Sequence, residues 1–225
     1  LYGDIILSSI SRMEKYASCA YSYFLQYGLS LKERELYGFE SKDMGTIFHG
    51  VLGHFSNKLL EKNYTWTDFP ADEGEAMVAE SMQEVCMEYT DALLYDNALN
   101  RYTMKNMEHM MQKCVSNISY QLGKGRFVPK EYEVSFHVVE NLKDLDISLS
   151  DKDKMRLSGR IDRMDTCEKE DKVFVKIVDY KSGDKNFDLA AFYHATQLQL
   201  VVYMNEALKR AEKLHPGKEA VSAAM

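Results

Sequence analysis

At Gly123-Lys124-Gly125 the hydrophobic period of this chain changes, and that change restricts the folds open to it. Before the glycines, apolar residues recur at steps of three and four. Ile47, Val51, Leu52, Phe55, Leu59 and Leu60 mark one face of a helix predicted over 45–62. Residues 72–94 and 100–122 keep the same period, and their Met and Tyr stripes read as packing surface. After the glycines, Tyr132, Val134, Phe136 and Val138 alternate with Glu131, Glu133, Ser135 and His137. That is the period of a half-buried strand. A polar connection through Ser150 follows. Residues 155–166 and 172–180 predict two more strands, and the short link 167–171 predicts a hairpin. A helix is expected over 188–212, with Pro216-Gly217 breaking the chain and a further strand opening near Val221.

Ahead of these elements, Ser11-x-x-Glu14 reads as a capping box. It opens a helix carrying Tyr16, Tyr21, Tyr23, Phe24 and Tyr27, with Gly28 at its end, and 31–42 reads as a connection. The order is helices, three strands, a helix and a strand. It predicts an α/β core, a mixed sheet flanked by helices, with a helical amino-terminal half.

Only three prolines and 45% hydrophobic residues allow a packed core within 225 residues. The net charge of −7 argues against a nucleic-acid coat, which leaves a basic footprint, but not against an enzyme with an acidic metal site. Cys19, Cys86, Cys114 and Cys167 form no C-x-x-C pair, so zinc-ribbon and thioredoxin chemistry are excluded. No secretory signal or membrane-length apolar run is visible, and a cytoplasmic protein with reduced thiols is expected. The chain opens on Leu1 and closes on Met225, and we read it as a segment of a longer protein whose fold is truncated at its carboxyl end.

The chemistry concentrates in Gly159-Arg160-Ile161-Asp162-Arg163-Met164-Asp165 and Val178-Asp179-Tyr180-Lys181-Ser182-Gly183. On an antiparallel pair, Asp162 and Asp179 face one another across the ladder. Two such carboxylates repel, and a shared divalent cation relieves the repulsion. Oxygen donors of this kind suit Mg²⁺ or Mn²⁺. Lys181 projects on the same side as Asp179, and the carbonyl of Tyr180 offers a further ligand. Gly183 lets the chain turn away. Each piece alone has a plain reading: D-x-K as a solvated ion pair, His49 as a surface histidine, Gln199 and Tyr203 as helix packing. Their joint occurrence in this order points to a metal site that cuts a phosphodiester.

These motifs resemble the RecB-like branch of the PD-(D/E)XK nuclease superfamily over about 45–212. Gly45 and His49 match its G-x-x-x-H helix. Gly159, Asp162, Arg163 and Asp165 match its G-x-x-D-R-x-D strand. Asp179, Lys181, Ser182 and Gly183 match D-x-K-[ST]-G, and Gln199 and Tyr203 match Q-x-x-x-Y. The resemblance implies a restriction-endonuclease-like core. It makes His49, Asp162 and Asp179 metal ligands, Lys181 catalytic, and Gln199 and Tyr203 substrate-positioning. Glu133 falls on an acidic position often seen on the first core strand, and Ile161 stands where the family name has proline.

The segment from Ser9 to Leu29, with Arg12, Glu14, Tyr16, Cys19, Tyr21, Tyr23, Phe24 and Tyr27, resembles the start of the nuclease domain in AddB-type subunits of bacterial helicase–nucleases. That implies a division into 1–44, associated with an iron–sulfur cluster, and a nuclease core 45–225 with a helical insertion at about 64–125. It also implies that Cys19 is the first ligand of a [4Fe–4S] cluster in the full-length protein, absent from this segment. An AddA-type partner, DNA substrate and exonucleolytic processing of double-strand breaks are implied as well. Other RecB-like nucleases, or a non-catalytic binding domain of the same fold, remain the alternatives.

Overall fold

The computed structural model describes residues 5–32, 41–89, 98–141, 154–181 and 186–224. Five strands among them form one mixed sheet: β1 (Ile5–Ser9), β2 (Val128–Asn141), β3 (Lys154–Lys169), β4 (Lys172–Val178) and β5 (Glu219–Ala224). β3 is its spine. β2 runs antiparallel along β3, β1 lies parallel to its first residues, and β4 pairs antiparallel with its last. β5 closes the edge parallel to β4. The predicted β3–β4 hairpin is present, turning at Glu170, which takes φ +54°. The strand expected near Val221 is β5.

The helices are α1 (Ile10–Ser18), α2 (Ala20–Tyr23), α3 (Ser41–Glu61), α4 (Ala71–Tyr89), α5 (Ala98–Lys124), α6 (Leu189–Tyr193) and α7 (Gln199–Leu214). α2 runs into a wide π-helical turn at Phe24–Gly28. None among the described residues is long and apolar enough to cross a membrane.

Two cores hold these layers. α3, α4 and α5 bury Val51, Phe55, Met77, Met107 and Met111 among themselves, so their Met-rich stripes are packing surface as expected. On the sheet, Val134, Ile161, Val175 and Ile177 pack against Tyr203, Met204 and Ala207 of α7. Tyr132 and Tyr180 lean from the strands onto the helical core.

Three expectations are corrected. The sequence pattern groups the first residues with the helices, yet Ile5–Ser9 is a strand, because a parallel partner on β3 supplies the hydrogen bonds that local sequence cannot. The cap of α1 is Ser9, whose hydroxyl accepts from Arg12 N at 3.3 Å, not Ser11. The single helix expected over 188–212 is two. Asp188 caps a short α6, the chain takes φ +58° at Ala195, and α7 starts at Gln199. The ends of the expected connection at 31–42 and helix at 72–94, the connection at 142–150, and Ser182 and Gly183 lie outside the described residues.

Candidate active site

Helix α3 presents His49 to the sheet, with Gly53 one turn beyond it. A Cβ at Gly53 would stand 3.3 Å from Glu133 Cγ, so the bare backbone there leaves a channel for the Glu133 side chain. Glu133 lies on β2, between Tyr132, which pairs with Arg163, and Val134, which pairs with Ile161. It takes φ +50°, a left-handed conformation costly for a residue with a Cβ. Opposite it, Ile161 and Met164 enter the same core although three residues apart, so the alternation of β3 slips at Asp162. This paired irregularity aims both acids at α3. Donor atoms of His49, Glu133 and Asp162 lie within 4.8 Å of one another.

Asp162 is nearly buried. Its Oδ2 lies 3.2 Å from His49 Nδ1 and accepts the Tyr180 N–H at 2.8 Å. The β3–β4 ladder ends at Arg163–Val178, which leaves Asp162 and Asp179 as the next facing positions. Asp179 turns one oxygen to each of two partners. Lys181 Nζ stands 2.6 Å from Oδ2, and Gln199 Nε2 donates to Oδ1 at 3.0 Å. Burial pushes the Asp162 carboxyl up, but hydrogen bonds from His49 and the Tyr180 N–H outweigh it and hold the group below the ordinary carboxylate value. Asp179 goes the other way: burial raises it, Lys181 opposes, and the charge of Asp162 adds to the rise. His49 is raised by its bond to Asp162, against burial, with help from Glu133. Two like charges with one suppressed and one favoured is the signature of a site short of positive charge.

Behind the acids, Arg163 and Asp165 form a buried bidentate pair at 2.7 and 3.0 Å, and Arg163 Nη1 donates to the Tyr180 hydroxyl at 2.9 Å. Burial pushes that phenol up to about 12. The second and third motif acids therefore differ in kind: Asp162 faces the site, whereas Asp165 is fully buried and neutralises the arginine that holds the Tyr180 ring. The sequence leaves open that G-R-I-D-R is a surface strand of ion pairs; the pair exists, but it is interior.

On α7, Tyr203 is buried edge-on against Phe136, and its hydroxyl accepts from Arg160 N at 3.4 Å. A Cβ at Gly159 would stand 2.8 Å from the Tyr203 ring and 2.5 Å from Phe136, so glycine is what lets the helix approach the strand. The structure thus brings His49, Asp162, Asp179, Tyr180, Lys181 and Gln199 together, and places Tyr203 just beneath them. Glu133 stands in the centre, more prominent than the sequence makes it. Gly53 escapes sequence reasoning, although its spacing of four from His49 is a readable signal. Cys19 is distant in role: its exposed thiol caps α2, accepting from Ser22 N at 3.4 Å.

A curled mixed sheet flanked by helices, with two acids and a lysine at the ends of adjacent strands, defines a restriction-endonuclease-like protein. The chain belongs to the PD-(D/E)XK nuclease superfamily, whose family profile matches residues 8–225. It is 36% identical over 219 residues to the B-type subunit of the ATP-dependent helicase/deoxyribonuclease of Lachnoclostridium phytofermentans, covering 97% of this chain and 18% of that protein. The proteins of the same name from Caldanaerobacter subterraneus subsp. tengcongensis and Clostridium tetani are 37% and 34% identical, each over 94% of this chain and 18% of the relative. The chain therefore spans less than a fifth of the length of these relatives.

Proposed function

We propose that this chain is a divalent-metal-dependent deoxyribonuclease domain, acting as an exonuclease within an AddAB-type helicase–nuclease that processes double-strand breaks for recombinational repair. The observation that carries the reading is the convergence of His49, Glu133 and Asp162 within 4.8 Å, beside the Lys181–Asp179 pair. One imidazole nitrogen and two carboxylate oxygens fit Mn²⁺ or Mg²⁺. We assign His49, Glu133 and Asp162 as the holders of the cation, with Asp179 and the carbonyl of Tyr180 completing the set. When bound, the cation supplies Lewis-acid charge to the scissile phosphate.

The remaining work falls to the chain. Lys181 places an ammonium beside Asp179, where it orients the attacking water and offsets phosphate charge. Asp179 holds that lysine and is held by Gln199. Tyr203 and Gln199 set the distance between α7 and the strands that carry the acids. The AddA-type partner, the 5′-terminated strand as substrate and the cytoplasmic setting follow from the names and nature of the relatives. The long pair α4 and α5 between His49 and Glu133 favours this reading over a more compact RecB-like nuclease. We also assign Cys19 as a [4Fe–4S] ligand in the full-length protein. Its exposed thiol is available, whereas Cys86 is buried in α4, and Cys114 and Cys167 lie on α5 and β3.

The test is cleavage of end-labelled single-stranded DNA by the whole protein, in Mg²⁺ or Mn²⁺ against EDTA, with and without Lys181→Ala. Metal-dependent cleavage lost with the lysine supports the assignment. Equal cleavage by both proteins removes Lys181 from the site, and metal binding without cleavage makes this a binding domain.

A further inference from the structure

Helix α7 begins without a cap from its own neighbourhood. Leu198 stands at its amino-terminal boundary and makes no side-chain cap hydrogen bond. The first amides of a helix have no acceptors inside it. Here two of them are taken by Glu14, whose Oε1 accepts from Leu198 N at 2.7 Å and from Gln199 N at 3.1 Å. A carboxylate at the positive end of a helix dipole makes short, charge-assisted bonds. Sequence spacing gives Glu14 to the start of its own helix; it instead caps one 184 residues later.

Glu14 is itself fixed to the sheet. α1 follows directly on β1, whose last residue, Ser9, caps it and pairs with Ser158 of β3. Ile10 is buried in the sheet core. The carboxylate is therefore held in register with the strand that carries Asp162. Gln199 is the first residue of α7 and also the donor to Asp179 Oδ1, on the side of that carboxylate away from Lys181. One amide of Gln199 is thus gripped by Glu14 while its side chain grips the acid.

We propose that Glu14 is a positioning residue of the active site: it locks the first turn of α7 to the β1–β3 pair, so that Gln199 holds Asp179 opposite Lys181. Glu14 touches neither metal nor substrate. Its effect passes through Gln199, and the proposal rests on the nuclease reading above.

The experiment uses the whole protein carrying Glu14→Ala, Glu14→Gln, Gln199→Ala, the Glu14→Ala/Gln199→Ala pair, and Arg210→Ala. The last removes the ion pair with Glu131 near the far end of α7 and reports a purely structural loosening of that helix. Rates and KM on end-labelled single-stranded DNA are measured beside thermal unfolding and hydrogen exchange of the peptide containing Leu198 and Gln199. Misplacement of a catalytic group by a fraction of an ångström predicts that Glu14→Ala lowers kcat about 10-fold with KM little changed. Glu14→Gln, whose amide oxygen still accepts, recovers most of that loss, and Glu14→Ala adds less than about 2-fold once Gln199 is gone. Arg210→Ala lowers the melting temperature without lowering kcat. Exchange at Leu198–Gln199 quickens in Glu14→Ala only. Multiplicative losses in the pair, or an equal fall in kcat from Arg210→Ala, overturn the positioning role and leave the nuclease standing. A wild-type protein that does not cleave overturns both, even where the exchange data show the cap.

Discussion

The side chain of Glu133 lies across Gly53, with its Cγ 3.3 Å from the point where a Cβ on that glycine would stand. Helix and strand approach one another there because one of them has no side chain. Gly53→Ala sets two effects against each other. Alanine favours the interior of α3 by about 0.5–1 kcal/mol. The new methyl displaces the Glu133 carboxylate and weakens Mn²⁺ binding by about 10-fold. Thermal unfolding without metal and calorimetric Mn²⁺ titration read the two separately. A variant that is more stable and binds Mn²⁺ as before would remove Glu133 from the ligand set.

Glu133→Gly probes the same residue through its backbone. At φ +50°, glycine relieves strain of about 1 kcal/mol, so the metal-free domain melts higher while metal affinity falls. The two changes have opposite signs, which a simple loss of packing does not produce. Lower stability together with lower affinity would mean that Glu133 mainly holds the strands.

Lys181→Ala separates binding from rate. Its loss costs about 10²–10³ in kcat. It also frees a carboxylate that the ammonium now occupies at 2.6 Å, so Mn²⁺ affinity does not fall. Single-turnover cleavage and metal titration on the same preparation check both halves. A parallel fall in affinity would make the lysine a structural support.

Metal binding rises with pH. The His49 imidazole is held above its usual value of 6.5 by Asp162, so in the metal-free protein it keeps its proton past that pH. A cation must displace that proton. Affinity for Mn²⁺ therefore climbs through the range above pH 6.5 and levels once the imidazole is neutral. His49→Gln flattens that part of the profile and lowers the plateau. A wild-type affinity constant across pH 6–8 would exclude His49 as a ligand.

Asp165→Ala leaves Arg163 charged and alone in the interior and costs about 3–5 kcal/mol, read by denaturant unfolding. Replacing both with Arg163→Met and Asp165→Leu costs much less. The double variant still loses activity, because the hydroxyl of Tyr180 is no longer held and its N–H serves Asp162.

Much of the site is legible in the sequence because its geometry is local. Strand alternation places Lys181 with Asp179, and the hairpin register sets Asp162 against it; both follow from spacing. His49 and Gln199 lie on helices whose faces show in the sequence. What stays hidden depends on distant partners. Nothing near Glu133 announces a left-handed backbone, since the residue has no intrinsic preference for one and Asp162 imposes it across the ladder. β1 has only five residues, and its partner lies about 150 positions on. The break between α6 and α7 is equally opaque, because the first amides of α7 find their acceptor on Glu14.

β1 leaves the ribosome long before the strand it pairs with. Its ladder runs from Ile5–Lys154 to Ser9–Ser158, so at about 5–20 residues per second some ten seconds of translation or more separate the two halves. Glu14 waits longer still for Leu198. Over that interval His49 can be in place on its helix while Asp162, Asp179 and Gln199 have yet to be made. The order of synthesis thus delays the assembly of a phosphodiester-cutting centre until nearly the whole domain is out, on a chain that is made in contact with messenger RNA.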